Sequence, residues 1–160
     1  MWRIGVWEQN EGLGALARTL AGDRAQVWQA DHPSLLAGEP CDLLVVSPHA
    51  VGWAGAAALR CQTVLLPGSL GTPAGSLWAE RAVSYGLNPK DTLTVSSIEG
   101  DRISVALQRG LIRLDGEVVE EQEIVLPYAD EPPELVLARV GVELLVGNGN
   151  PPAPFGGTPL

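Results

Sequence analysis

Asp42-Leu43-Leu44-Val45-Val46-Ser47 and Cys61-Gln62-Thr63-Val64-Leu65-Leu66 decide the fold. Each is a short run with too few polar residues for one face to meet water, the pattern of a parallel strand buried on both sides. Outward from them, Arg3-Ile4-Gly5-Val6-Trp7 and Ala25-Gln26-Val27-Trp28 read as two further strands, and Ala82-Val83-Ser84-Tyr85-Gly86 as a fifth. Between the first two, residues Glu11 to Ala21 place Leu13, Leu16, Ala17 and Leu20 at helical spacing. Gly52 to Arg60 is Ala-rich and reads as a helix. Thr72-Pro73 looks like an N-cap followed by proline at the first helical position, opening a helix through Glu80. Strands alternating with helices imply an α/β, Rossmann-like, mostly parallel sheet with helices on both faces.

From Thr92 onward the apolar period falls to two. Leu93 and Val95 alternate with Thr92, Thr94 and Ser96, and Ile103, Val105 and Leu107 alternate with polar or small neighbours. Asp115-Gly116 between Leu111–Leu114 and Glu117–Leu126 reads as a two-residue hairpin turn. Residues 92–126 are therefore expected to form an antiparallel meander with one buried face. Leu135 to Val146, after a proline pair and before Gly147, reads as a closing helix. Residues 1–91 form the Rossmann-like part and 92–147 the meander and helix of the same domain. Residues 148–160, with four Pro and three Gly, read as a flexible tail.

The chain has 160 residues, 46% of them hydrophobic and 18% charged, which fits a globular domain and excludes a disordered one. A net charge of −9 argues against nucleic acid or an anionic membrane as a general partner. The apolar run near Met1 is too short for a signal peptide or a membrane helix, so a cytoplasmic protein is expected. Cys41 and Cys61 read as two core thiols, with a disulfide or redox pair as the sharper alternative. Asp115 to Glu134 holds eight acidic residues and no basic one. That stretch reads as a solvated strand face, and alternatively as a docking edge for a basic partner.

In an open parallel sheet, ligands bind beyond the carboxyl ends of the strands. That rule nominates Glu8, Asn10, Ser47, His49, Gly68, Ser69, Tyr85 and Gly86 as a pocket for a small anionic ligand. Specific chemistry is harder to find. Gly12 and Gly14 lack the third glycine of a dinucleotide loop. The single lysine, Lys90, follows no glycine-rich loop, which excludes a P-loop ATPase. Pro67-Gly68-Ser69-Leu70-Gly71 comes close to a nucleophile elbow, but both His32 and His49 precede Ser69, whereas that fold places its histidine after the serine. The same loop could present backbone amides to an anion. Arg109 is expected to pair with the acidic stretch. No catalytic set, cofactor or metal follows from these residues.

Val83-Ser84-Tyr85-Gly86-Leu87, followed by a meander and a helix ending near Gly147, resembles the back end of the central domain of Mur ligases. That resemblance implies a fold relative without ligase activity, because the phosphate-binding loop and the carbamylated-lysine position are missing. The string from Tyr85 to Ile98, with Leu107-Gln108-Arg109 and the run from Gly116 to Glu123, is similar to a family of short uncharacterised proteins, mainly of Gram-positive bacteria. It implies a shared fold, and singles out Lys90, Thr92, Ser96, Ser97, Gln108 and Arg109 beside Tyr85. Three functions follow as expectations. The first is a non-catalytic module that binds a protein partner or forms a homodimer through the edge of the meander. The second is a module binding a nucleotide or nucleotide-sugar, and the third an enzyme sought first at His49 and Ser69.

Overall fold

A computed structural model describes residues 1–36, 38, 40–50, 59–70 and 77–147. Ten strands and two α-helices follow one another as β1 (Trp2–Trp7), α1 (Leu13–Ala21), β2 (Ala25–Ala30), β3 (Cys41–Val46), β4 (Leu59–Pro67), β5 (Leu77–Tyr85), β6 (Leu93–Glu99), β7 (Arg102–Leu107), β8 (Leu111–Ile112), β9 (Val118–Val119), β10 (Gln122–Pro127) and α2 (Pro133–Val146). Eight strands form one sheet in the order β10-β7-β6-β5-β4-β3-β1-β2. The first five strands are mutually parallel. Their chain order reverses at β1, which has β2 on one side and β3 on the other, and that reversal is the switch point of an open parallel sheet.

The two apolar runs do become the central β3 and β4, and the residues after 92 extend the same sheet. β6 joins β5 in parallel through the single pair Tyr85–Leu93, and β7 and β10 continue antiparallel from it. The expected hairpin around Asp115-Gly116 is a separate ribbon of β8 and β9. Its turn differs from expectation. Gly116 N–H donates to Arg113 C=O and Arg113 N–H to Glu117 C=O, so the loop holds three residues and ends on Gly116 at φ 90°. A left-handed glycine closing a three-residue loop corrects the ribbon's twist as a two-residue turn would.

Two expected helices need correction. Residues 51–58 and 71–76, which hold most of them, lie outside the described residues, as does the tail 148–160. The ends that are described are strand: Leu59 and Arg60 open β4, and Leu77 to Glu80 open β5. Alternation decides this, since Leu77 and Ala79 pair in register with Leu59 and Cys61 while Trp78 and Glu80 face outward. Helices on both faces are not what the described residues display. Both α1 and α2 contribute to one core cluster, with Ile4, Val6, Leu43, Val45 and Leu65 of the sheet. The other face buries Trp7, Leu44, Val46, Val64 and Leu66 against Leu36, Ala50 and Leu70. Among the described residues, no helix is long and apolar enough to cross a membrane.

Cys41 and Cys61 are register partners across β3 and β4, both as free thiols. Burial pushes the Cys61 thiol up to about 12, which leaves it a packing residue rather than a nucleophile. Arg24 ties the helix ends together, donating to Leu20 C=O and Ala21 C=O at the end of α1 and to Gly147 C=O after α2. One titration on α2 has a readable sign. Burial raises the Glu143 carboxyl above its ordinary value, only partly countered by Arg139 one turn earlier. The folded chain then holds that proton more tightly than the unfolded chain, so stability is highest with Glu143 protonated. It falls as pH rises from about 4 through the raised value. Denaturation of Glu143→Gln and wild type at a series of pH values is expected to show the wild type alone losing this component.

Candidate functional site

A cavity of about 670 Å³ opens beyond the carboxyl ends of β3, β4 and β5. Its wall takes Pro48 and His49 after β3, Pro67 at the end of β4 with Gly68 and Ser69 after it, and Tyr85 at the end of β5 with Gly86 after it. The turn after β5 adds Asn88, Lys90 and Asp91, and the start of α2 adds Pro132 and Glu134. Five of the eight sequence-nominated pocket residues therefore meet here: His49, Gly68, Ser69, Tyr85 and Gly86. Each lies where a parallel strand ends, because the strand's last carbonyls and the following turn leave the sheet edge open.

Tyr85 forms the rigid back of the cavity. It is fully buried, and its hydroxyl donates to Val46 C=O at 2.6 Å, tying the end of β5 to the end of β3 two strands away. Burial pushes its phenol far above the ordinary tyrosine range, with Glu11 and Glu134 adding to the shift, so it serves as a neutral donor at any physiological pH.

The other three nominated residues are placed elsewhere. Glu8 is buried, and its carboxylate accepts from Leu13 N–H at 2.8 Å, Gly14 N–H at 3.0 Å and the Gln29 side-chain amide at 2.5 Å. It thus fills the N-terminus of α1 with a carboxylate of the chain itself, where the anion of a dinucleotide site would sit. Gly14 serves this arrangement, since a Cβ there would meet the Gln29 side chain at 2.4 Å. Asn10 is exposed in the left-handed region at φ 69°. Ser47 is fully buried and turns the chain after β3, its hydroxyl accepting from His49 N–H at 3.1 Å.

The residues singled out by the Gram-positive resemblance divide in the same way. Gln108 donates to Pro89 C=O and Asp91 C=O, both at 2.7 Å, and Arg109 donates to Lys90 C=O. Both side chains therefore fasten the 89–91 turn to the end of β7, and among the described residues no ion pair joins Arg109 to the acidic stretch. Thr92 is buried beside that turn, its N–H donating to the Ser84 hydroxyl. Ser96 and Ser97 lie on the exposed part of β6, where Ser96 bonds Ser104 C=O and the Glu123 carboxylate. Of these six, only Lys90 lines the cavity.

Asp91 is the residue that reading by sequence passes over. It is 6% exposed and sits between two glycines: a Cβ on Gly68 would lie 1.9 Å from Asp91 Oδ1, and one on Gly86 would lie 2.6 Å from Oδ2. Its Oδ2 accepts from Asn88 N–H at 3.2 Å. The local signal was the Asn-Pro-Lys-Asp turn directly after a strand end, in which the Asn88 side chain accepts from Lys90 N–H. Among the described residues, no group of three or more His, Cys, Asp or Glu could hold a metal ion. The β10 edge of the sheet carries Glu123 and ends in Pro127, features that discourage another strand from pairing with it. No protein-family model, curated protein or solved structure matches the chain.

Proposed function

We propose that the protein is a binding module for a small polar molecule, held in the cavity beyond β3, β4 and β5. The observation that carries this reading is the coincidence of two independent facts. A cavity of about 670 Å³ lies on the carboxyl side of the parallel sheet, and a strand-end tyrosine and two strand-end glycines build its wall. A volume of about 670 Å³ suits a metabolite-sized ligand. Among the described lining residues, no nucleophile–base pair converges. His49 and Ser69 both line the wall, yet neither has a hydrogen bond to the other. Binding rather than catalysis is the role these groups support. The guarded β10 edge gives self-association no comparable support.

A thermal-shift panel of nucleotides, nucleotide-sugars, polyols, organic acids and amines tests the proposal. A ligand at ~100 times its Kd is expected to add ~2.7 kcal/mol, a rise of roughly 5–10 °C for a chain of this size. Ser69→Trp, which places an indole on the exposed cavity rim, is expected to abolish that rise without lowering the melting point of the free protein. A panel without hits, or a hit untouched by Ser69→Trp, would overturn the reading.

A further inference from the structure

We infer that the cavity selects an organic cation, a primary amine or guanidinium group that docks on the Asp91 carboxylate. The inference rests on the binding reading above and names the ligand class for that site. Asp91 is more than nine-tenths buried and lines the cavity, and it was given its place by two glycines on different strand ends. A carboxylate has about four acceptor positions. Among the described residues, this one receives a single bond, from Asn88 N–H at 3.2 Å to Oδ2, while Oδ1 accepts none. Oδ1 is not among the described buried polar atoms that lack a partner, so it is open to the cavity, where a charged donor would meet it best.

The rest of the wall points the same way. Glu134 adds a second carboxylate, against Lys90 as the one permanent cation among the described lining residues. Anions are poorly served. The start of α2 offers little, since Pro132 and Pro133 have no N–H, and Leu135 and Val136 N–H both donate to Pro132 C=O. The start of α1 is already filled by Glu8. An amine or guanidinium would gain charge-assisted bonds from Asp91 and Glu134, where a phosphate or carboxylate would face two like charges.

The test is an NMR titration of the whole chain with four probes: agmatine, which carries a guanidinium and an amine, neutral xylitol, anionic citrate, and Mg²⁺ alone. Agmatine is expected to shift the amides of Gly68, Gly86 and Asn88 and to bind at least tenfold tighter than xylitol or citrate. Asp91→Asn should weaken agmatine tenfold or more and leave xylitol unchanged, and Glu134→Gln should weaken it by a smaller factor. The preference measured on the wild type decides the matter even if Asp91→Asn does not fold. Xylitol or citrate binding at these amides as tightly as agmatine would overturn the cation inference and leave the binding module standing. Mg²⁺ shifting the same amides more tightly than agmatine would reassign the carboxylates to a metal. Silence from all four probes would overturn the cation inference, and the broader panel above would then decide whether the cavity binds anything.

Discussion

Gly141→Val is expected to destabilise the protein by about 3 kcal/mol, the upper end of what overpacking a core costs. Gly141 lies on the buried side of α2 over β4, and a Cβ there would stand 2.7 and 2.8 Å from the two terminal methyls of Leu65 and 3.3 Å from its Cγ. Leu65 is fully buried and cannot swing into solvent, so the helix must lift or the leucine must leave its rotamer. Valine regains a few tenths of a kcal/mol of helix propensity over glycine, far less than the clash costs. Alanine should lose less, because its propensity gain of ~1 kcal/mol offsets more of a smaller collision. For a chain of this size the valine variant should melt roughly 10 °C lower and unfold at lower urea with an unchanged slope. Leu65→Ala alone should cost ~2–5 kcal/mol, and the double variant less than the sum by at least ~1 kcal/mol. Additive losses would mean that glycine is not there for the approach of α2 to β4.

That contact is a long-range fact, which is why only part of this protein could be read from its residues. The both-face apolar runs at Asp42–Ser47 and Cys61–Leu66 declared buried strands because no helix face and no half-exposed strand needs such continuity. Leu77-Trp78-Ala79-Glu80 pointed the wrong way. Its Leu, Ala and Glu are good helix formers, and only in-register pairing with β4 reveals them as strand. The pocket behaved similarly. Strand ends are local, so His49, Gly68, Ser69, Tyr85 and Gly86 could be nominated from topology. The burial of Asp91 is not local, because it depends on two glycines 23 and 5 residues away leaving space for one carboxylate. Glu8 shows the converse error. A carboxylate at a strand end looks available for a ligand, but α1 has Gly12 at its N-cap and no side-chain cap there. The amides of Leu13 and Gly14 therefore needed an acceptor from outside the helix, and Glu8 supplies it while the nearer Glu11 accepts from Gln9 N–H.

Glu8→Ala is expected to cost about 4 kcal/mol, because it strips a charged acceptor from two buried backbone donors and the Gln29 side-chain amide at once. Glu8→Gln should cost about half as much, since one carbonyl oxygen remains to accept while the new amide meets an N–H donor. Melting should fall by roughly 8–16 °C for the alanine variant. A second measurement separates capping from simple loss of packing. With the carboxylate gone, the N-terminus of α1 becomes an anion site, so sulfate or phosphate should stabilise Glu8→Ala more than it stabilises the wild type. Equal stabilisation of the two proteins, or an alanine variant as stable as the wild type, would show that the cap is not what Glu8 contributes. The expected outcome carries a consequence for function. The crevice between β1 and β3 is where an open parallel sheet offers its helix N-terminus to a phosphate, and here the chain closes that offer with its own carboxylate. The open cavity lies further along the sheet, beyond β3, β4 and β5, where the walls carry Asp91 and Glu134 in place of a helix dipole free to meet an anion.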